Sequence, residues 1–274
     1  MKPYLAVITM DIKLALRLRA VIFFNYLFPL IFFFTFATVL KGNAGDMAFV
    51  VTMSVTLGVL GSGFFGAGIR AIQERELGIL RRYKVTPITP APLLVGSMIT
   101  GWIIFIPYIA LLLLMAHYIY GMPLPKHFFE LLAFISLGLI AFRALGLVIA
   151  SVANTMQEGT ILVQLFYFPM LLLSGATFPA EKFPRIMQII HNFIPATYLV
   201  KSMQNIMLKG QGLTERENVM AVVVMLLTIL GGGLISMKLF RWEKEEKIRG
   251  SAKLWVLAVL APFFVMGVWK WLQG

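Results

Sequence analysis

The chain has 274 residues, 59% of them hydrophobic and 13% charged, with a mean hydropathy of +0.87. Soluble domains carry roughly a quarter charged residues, so a water-soluble globule, a disordered chain and a nucleic-acid-binding domain are excluded, and the protein reads as an integral membrane protein. The net charge of +12 comes from basic residues flanking apolar runs, as in chains oriented in a bilayer, and the absence of cysteine removes disulfides and thiolate chemistry.

In chain order, residues 1–19 place Leu5, Ile8, Ile12 and Leu16 at helical spacing, with Lys13 and Arg17 on a more polar side. That pattern predicts an amphipathic helix lying in the membrane interface or, more simply, an orientation anchor. The run Ala20 to Leu40 is too long for a signal-peptide core and no A-x-A-like site follows it, so it is expected to stay in the membrane. A bilayer core needs roughly 20 apolar residues as helix. Met47 to Ile69, Leu93 to Tyr118, Phe128 to Val152, Thr160 to Phe178 and Val219 to Phe240 meet this, giving six spans of an all-α fold. A seventh, Leu254 to Leu272, is bracketed by Trp255, Trp269 and Trp271 but interrupted by Lys270, leaving a span or an interfacial helix.

Within these spans, Gly58, Ser62 and Gly66 recur every four residues and allow close helix packing, or else a moving or substrate-facing surface. Pro29, Pro107 and Pro169 are expected to kink spans 1, 3 and 5. Arg143 is the one charge deep in a span, which costs at least ~2.5 kcal/mol unless compensated. Snorkelling or bonding to a neighbouring carbonyl would compensate it, and so would an anionic substrate headgroup. Between spans 5 and 6, Phe183, Ile186, Met187, Ile189, Ile190 and Phe193 form an apolar stripe punctuated by Pro179, Pro184 and Pro195. Such a segment is too apolar for a free loop and fits non-spanning helices at membrane depth, or a helix flat on the surface.

With the N-terminus inside, 15 basic residues fall on the inner side and 8 on the outer, which sets the orientation. All 12 acidic residues lie at span edges or in loops, which disfavours an ion-coupled carrier with a midplane carboxylate. No phosphate-cradling loop, nucleophile elbow or metal-binding helix motif occurs, and His117, His127 and His191 are scattered, so no enzymatic activity, metal or bound cofactor is expected of this chain.

The loop after span 2 reads Glu74-Arg75-Glu76-x-Gly78-x-Leu80 and runs on to Val85-Thr-Pro-Ile-Thr-Pro90; by composition it is either a solvated loop or a short amphipathic element ended at Pro87. Together with Leu173-Ser-Gly-Ala-Thr-Phe-Pro179, Phe183-Pro184 and Ile194-Pro-Ala-Thr-Tyr198, it resembles the permeases of ABC type-2 transporters, the membrane subunits of ATP-driven exporters, over about residues 1 to 245. The resemblance implies a six-span core over 20–240 with the N-terminal stretch as a connecting helix. It also implies a coupling helix at about 72–84 and re-entrant outer helices at about 179–205, carrying Pro179, Phe183, Pro184, Pro195 and Tyr198. Carried over, Glu74, Arg75, Glu76, Leu77, Gly78 and Arg81 would meet the ATPase subunit, with Gln157 and Glu158 as a second contact. The implied partners are that ATPase, a second copy of the chain and membrane lipid, in the cytoplasmic membrane. ATP and Mg²⁺ would lie on the partner. The basic linker and seventh span, 241–274, depart from the family core. An ion-coupled transporter and a non-transporting anchor stand as alternatives.

Overall fold

The computed structural model describes residues 2–17, 26–40, 44–84, 88–248 and 250–273. The first six residues of the expected span Ala20 to Leu40, together with Lys41, Pro87 and Arg249, lie outside the described residues. All regular structure among the described residues is helical. Helix α1 is Lys2–Arg17 and α2 is Phe28–Val39; α3, Ala44–Gly61, runs on through a π-helical stretch, Ser62–Ile69, into α4, Arg70–Glu76. After a turn come α5 (Ile79–Lys84), α6 (Pro90–Tyr120), α7 (Phe128–Val152) and α8 (Met156–Leu173). The opposite face carries α9 (Arg185–His191) and α10 (Pro195–Leu208), followed by α11 (Arg216–Lys238) and α12 (Trp255–Gln273).

Among the described residues, six helices are long and apolar enough to cross a membrane: the continuous 45–76 helix, α6, α7, α8, α11 and α12. The protein is therefore a multi-pass membrane protein. The six include the expected seventh span, whereas the described part of the first is a 12-residue helix. Pro29 lies in the opening turn of α2, where its missing N–H is not needed, while Pro107 and Pro169 are interior to α6 and α8.

Local chemistry sets the ends. Gly121, at φ +67°, closes α6, with the Gly121 and Met122 amides bonding back to His117 and Ala116 at 3.0 Å each. Helix α8 starts four residues earlier than the apolar run suggests. Thr155 caps it by accepting from the Glu158 amide (3.2 Å), and the Glu158 carboxylate reaches back to the Asn154 amide (2.8 Å). It stops at Ser174, and Gly175 follows in the left-handed region at φ +83°.

The centre of the molecule is the 45–76 helix against α7, whose most apolar windows are 83% and 72% buried, compared with 17% for α8. Their contact is backbone on backbone. A Cβ on Gly146 would fall 2.0 Å from the Gly63 carbonyl oxygen, and one on Gly63 would fall 2.6 Å from that of Phe142. The widened π turn brings Gly63 and Gly68 onto α7, so here the small residues serve packing within one copy.

Helix α12 is fastened along its length. Lys238 lies over the Trp255 ring (4.9 Å), Arg216 over Trp269 (5.1 Å) and Lys270 over Tyr198 (5.0 Å). Phe264 and Phe263 pack on Phe193 and Tyr198, with ring centroids 5.9 and 5.8 Å apart.

Candidate functional site

Arg143 is 3% exposed in the buried half of α7. Its Nε donates to the Ser97 carbonyl (3.1 Å) and Nη2 to the same carbonyl (2.7 Å) and the Ser97 hydroxyl (3.1 Å). Its Nη1 donates to the Ser62 carbonyl (3.0 Å) and hydroxyl (2.8 Å). All five N–H donors of a guanidinium are thus used on neutral oxygens of α6 and the π turn. Gly101 makes the room: a Cβ there would lie 2.1 Å from the Arg143 Cζ.

On the face that collects α1, the 70–84 segment, the α7–α8 turn and residues 241–248, charged side chains bind elements to one another. Arg70 bridges Asp11 of α1 (2.8 Å) and Glu74 one turn on (2.7 Å). These three groups edge a small cleft between α1 and α6 that reaches Ser97. Burial raises the Asp11 pKa above the ordinary carboxylate value, and the neighbouring Arg70 opposes that shift.

Arg75 is 4% exposed and points inward. It donates to the carbonyls of Ala150 (2.9 Å) and Ala153 (2.6 Å), the uncapped end of α7. The Glu76 carboxylate accepts from the Met156 amide (2.5 Å), the first residue of α8. A cation at a helix C-terminus and an anion at a helix N-terminus each meet the favourable end of a helix dipole. Ile72 fills the space left at Gly159, where a Cβ would fall 2.2 Å from its Cδ1.

The expected coupling helix over 72–84 is therefore two pieces. The first continues the membrane helix to Glu76, and Gly78 at φ +69° turns the chain into α5. Of the residues expected to meet a partner, Arg75 is buried, Glu74 and Glu76 are half-buried in the contacts just described, and Glu158 is half-buried at the α8 cap. Leu77, Arg81 and Gln157 are exposed, and Gly78 is half-buried at the turn. On the opposite face Pro179 and Pro184 precede short helical turns, Pro195 opens α10, and Phe183 packs edge-on against His191 at 6.0 Å. Tyr198 is buried and donates to the Asn192 carbonyl (2.8 Å). Helix α9 exposes its apolar stripe, whereas α10 is buried from Pro195 to Val200.

Sequence reasoning missed Arg241, Asn154 and the Asp11–Arg70 pair. Arg241 is 6% exposed; it donates to the Asn154 side-chain oxygen (2.8 Å), the Glu246 carbonyl (2.7 Å), the Ser151 carbonyl (3.0 Å) and the Ala153 carbonyl. In sequence it is one more basic residue after an apolar run, with its partners some 87 to 90 positions away. Among the described residues no group of three His, Cys, Asp or Glu could hold a metal ion.

A bundle of apolar spanning helices, with charged loops bound to helix ends on one face, defines a polytopic α-helical membrane protein. A family model described as ABC-2 type transporter matches residues 4–208, and the chain belongs to that family. It is 29% identical over 178 residues to the inner membrane transport permease YhhJ of Escherichia coli strain K12, covering 65% of this chain and 46% of YhhJ. It is 32% identical over 157 residues to ABC transporter G family member 20 of Dictyostelium discoideum, covering 57% of this chain and 21% of that protein. It is 24% identical over 226 residues to YvfS of Bacillus subtilis strain 168, covering 80% of this chain and 91% of YvfS. The chain spans about half the length or less of the first two relatives.

Proposed function

We propose that the chain is the membrane subunit of an ATP-driven exporter, moving its substrate out of the cell by alternating access. A separate ATPase subunit docks on the basic face, which lies on the cytoplasmic side of the cell membrane together with the N-terminus. Exposed Leu77, Arg81 and Gln157 form the docking surface, while Arg75 and Glu76 reach inward from the same segment to the ends of α7 and α8. That back-to-back arrangement is the observation that carries the reading: a push on the exposed side is delivered to two spanning helices through short polar contacts. ATP and Mg²⁺ belong to the partner.

Two copies of the chain form the pathway. Helix α8 supports this, because Ile161, Leu165, Phe168 and Leu172 leave an apolar stripe uncovered within one copy at 45–65% exposure. Arg143 acts within the helix packing, its donors already engaged by Ser62 and Ser97. The test is purification of the tagged protein from its native membrane in mild detergent, with an ATPase assay on the eluate. A nucleotide-binding subunit in the eluate, lost in Leu77→Asp/Arg81→Glu, is the expected result. Recovery of the chain alone with no ATPase activity overturns the reading.

A further inference from the structure

We infer that residues 241–248, beyond the part of the chain that the family model matches, form a strap that locks the 70–84 segment to the α7–α8 turn, with Arg241 as its positioning residue. The inference rests on the basic face being the ATPase-docking side, and it adds a third component to that face.

Arg241 and Arg75 come from opposite ends of the chain and donate to the same Ala153 carbonyl. Around that oxygen they share the buried end of α7 between them, Arg75 taking Ala150 and Arg241 taking Ser151. Asn154 completes the closure. Its side-chain oxygen accepts from Arg241 (2.8 Å) and from the Ile248 amide (2.9 Å), and its side-chain nitrogen donates to the Ile248 carbonyl at 3.5 Å. The strap also holds the other half of the coupling segment, because Glu243 pairs with Lys84 at 3.0 Å and lies 3.9 Å from Arg81. One eight-residue segment thus grips the α7–α8 turn at both ends, through Arg241 and Ile248, and touches α5 from between them through Glu243. Two like charges on one carbonyl oxygen repel, so the junction depends on both helix-end carbonyls and Asn154 being in place. Removing Arg241 leaves Arg75 and Glu76 as the remaining polar links between the coupling segment and the turn, and α5 without an anchored Glu243.

The absence of cysteine makes a paired-label measurement direct. Spin labels at Leu77→Cys and Gln157→Cys, both exposed, report the distance across the junction in the full chain in lipid nanodiscs. A second pair on the opposite face, Phe129→Cys and Ile186→Cys at 83% and 72% exposure, reports general loosening. The first pair is expected to give a narrow distribution that broadens at least twofold in Arg241→Gln and in Asn154→Ala. It should stay narrow in Lys244→Gln, an exposed strap residue, with the opposite-face pair unchanged throughout. Should Arg241→Gln fail to fold, Asn154→Ala decides alone, since it removes the side-chain bonds that join the turn to Arg241 and Ile248 and leaves Arg75 in place. An unchanged width in Asn154→Ala, or broadening of both pairs together, overturns the inference. ATPase co-purification separates the two readings. Broadening without any bound ATPase leaves the strap and removes the docking role, whereas bound ATPase with unchanged widths removes the strap alone.

Discussion

A guanidinium buried in a membrane helix has five N–H donors to satisfy, and Arg143 places all five on four oxygens of two serines. Replacing it with Gln leaves the Ser62 and Ser97 groups short of donors and a void beside Gly101. Hydrogen bonds to a charged group contribute roughly 1.5–3 kcal/mol, so a loss of about 2 kcal/mol is expected in chemical unfolding in detergent micelles. Gly101→Ala should cost about as much, because the added methyl collides with a guanidinium that five hydrogen bonds hold in place. A structural role predicts that both variants retain substrate selectivity when enough folded protein is recovered. At the surface, the neighbouring Lys84 holds the Glu243 carboxyl below its ordinary value. A depressed carboxylate pKa contributes stability that is present above the unfolded value and lost as pH falls through the folded one. Acidification below the ordinary carboxylate range should therefore release α5, increasing maleimide labelling of a cysteine placed at Tyr83, and Glu243→Gln should give the released level at neutral pH.

Among whole elements, the crossing of the π turn and α7 is the least forgiving contact, since backbone cannot move aside as a side chain can. Gly146→Ala should destabilise by about 1–3 kcal/mol or prevent folding. Gly231→Ala on α11, where no atom lies within 4 Å, should be neutral or stabilise by roughly 0.5–1 kcal/mol through helix propensity. Thermal melts of the two variants in the same detergent compare them directly. Helix α12 makes a second such test. Gly267 admits the Phe193 ring, to which a Cβ would approach within 2.5 Å, so Gly267→Leu should detach α12 from the α9–α10 turn. Faster hydrogen exchange confined to 185–194 would report that detachment.

For the molecule as a whole, five of the six expected core spans, a first helix at residues 2–17 and the seventh helix were legible because each is a local property: apolar length and helical period. The family was legible in two loop motifs for the same reason. The break at Gly78 was less so, since a glycine inside a helical pattern only becomes a turn when the next segment has somewhere to go. Roles were harder still. Glu74, Arg75 and Glu76 look alike as a charged knot, yet one pairs back along its own helix, one is buried at the end of α7, and one caps α8. If these tethers transmit force, Glu76→Gln should reduce ATP-driven transport while leaving ATPase binding intact, and Leu77→Asp should reduce binding itself. Transport and co-purification measured on the same preparations test that split. The sequence alone determined that this is a multi-span membrane protein of the ABC-2 type transporter family and where most of its helices run, because hydrophobic length acts residue by residue against the bilayer. Which charges face a partner and which hold the protein together was decided by the tertiary structure. A helix end offers its carbonyls or amides to whatever residue the fold brings there, however distant in the chain.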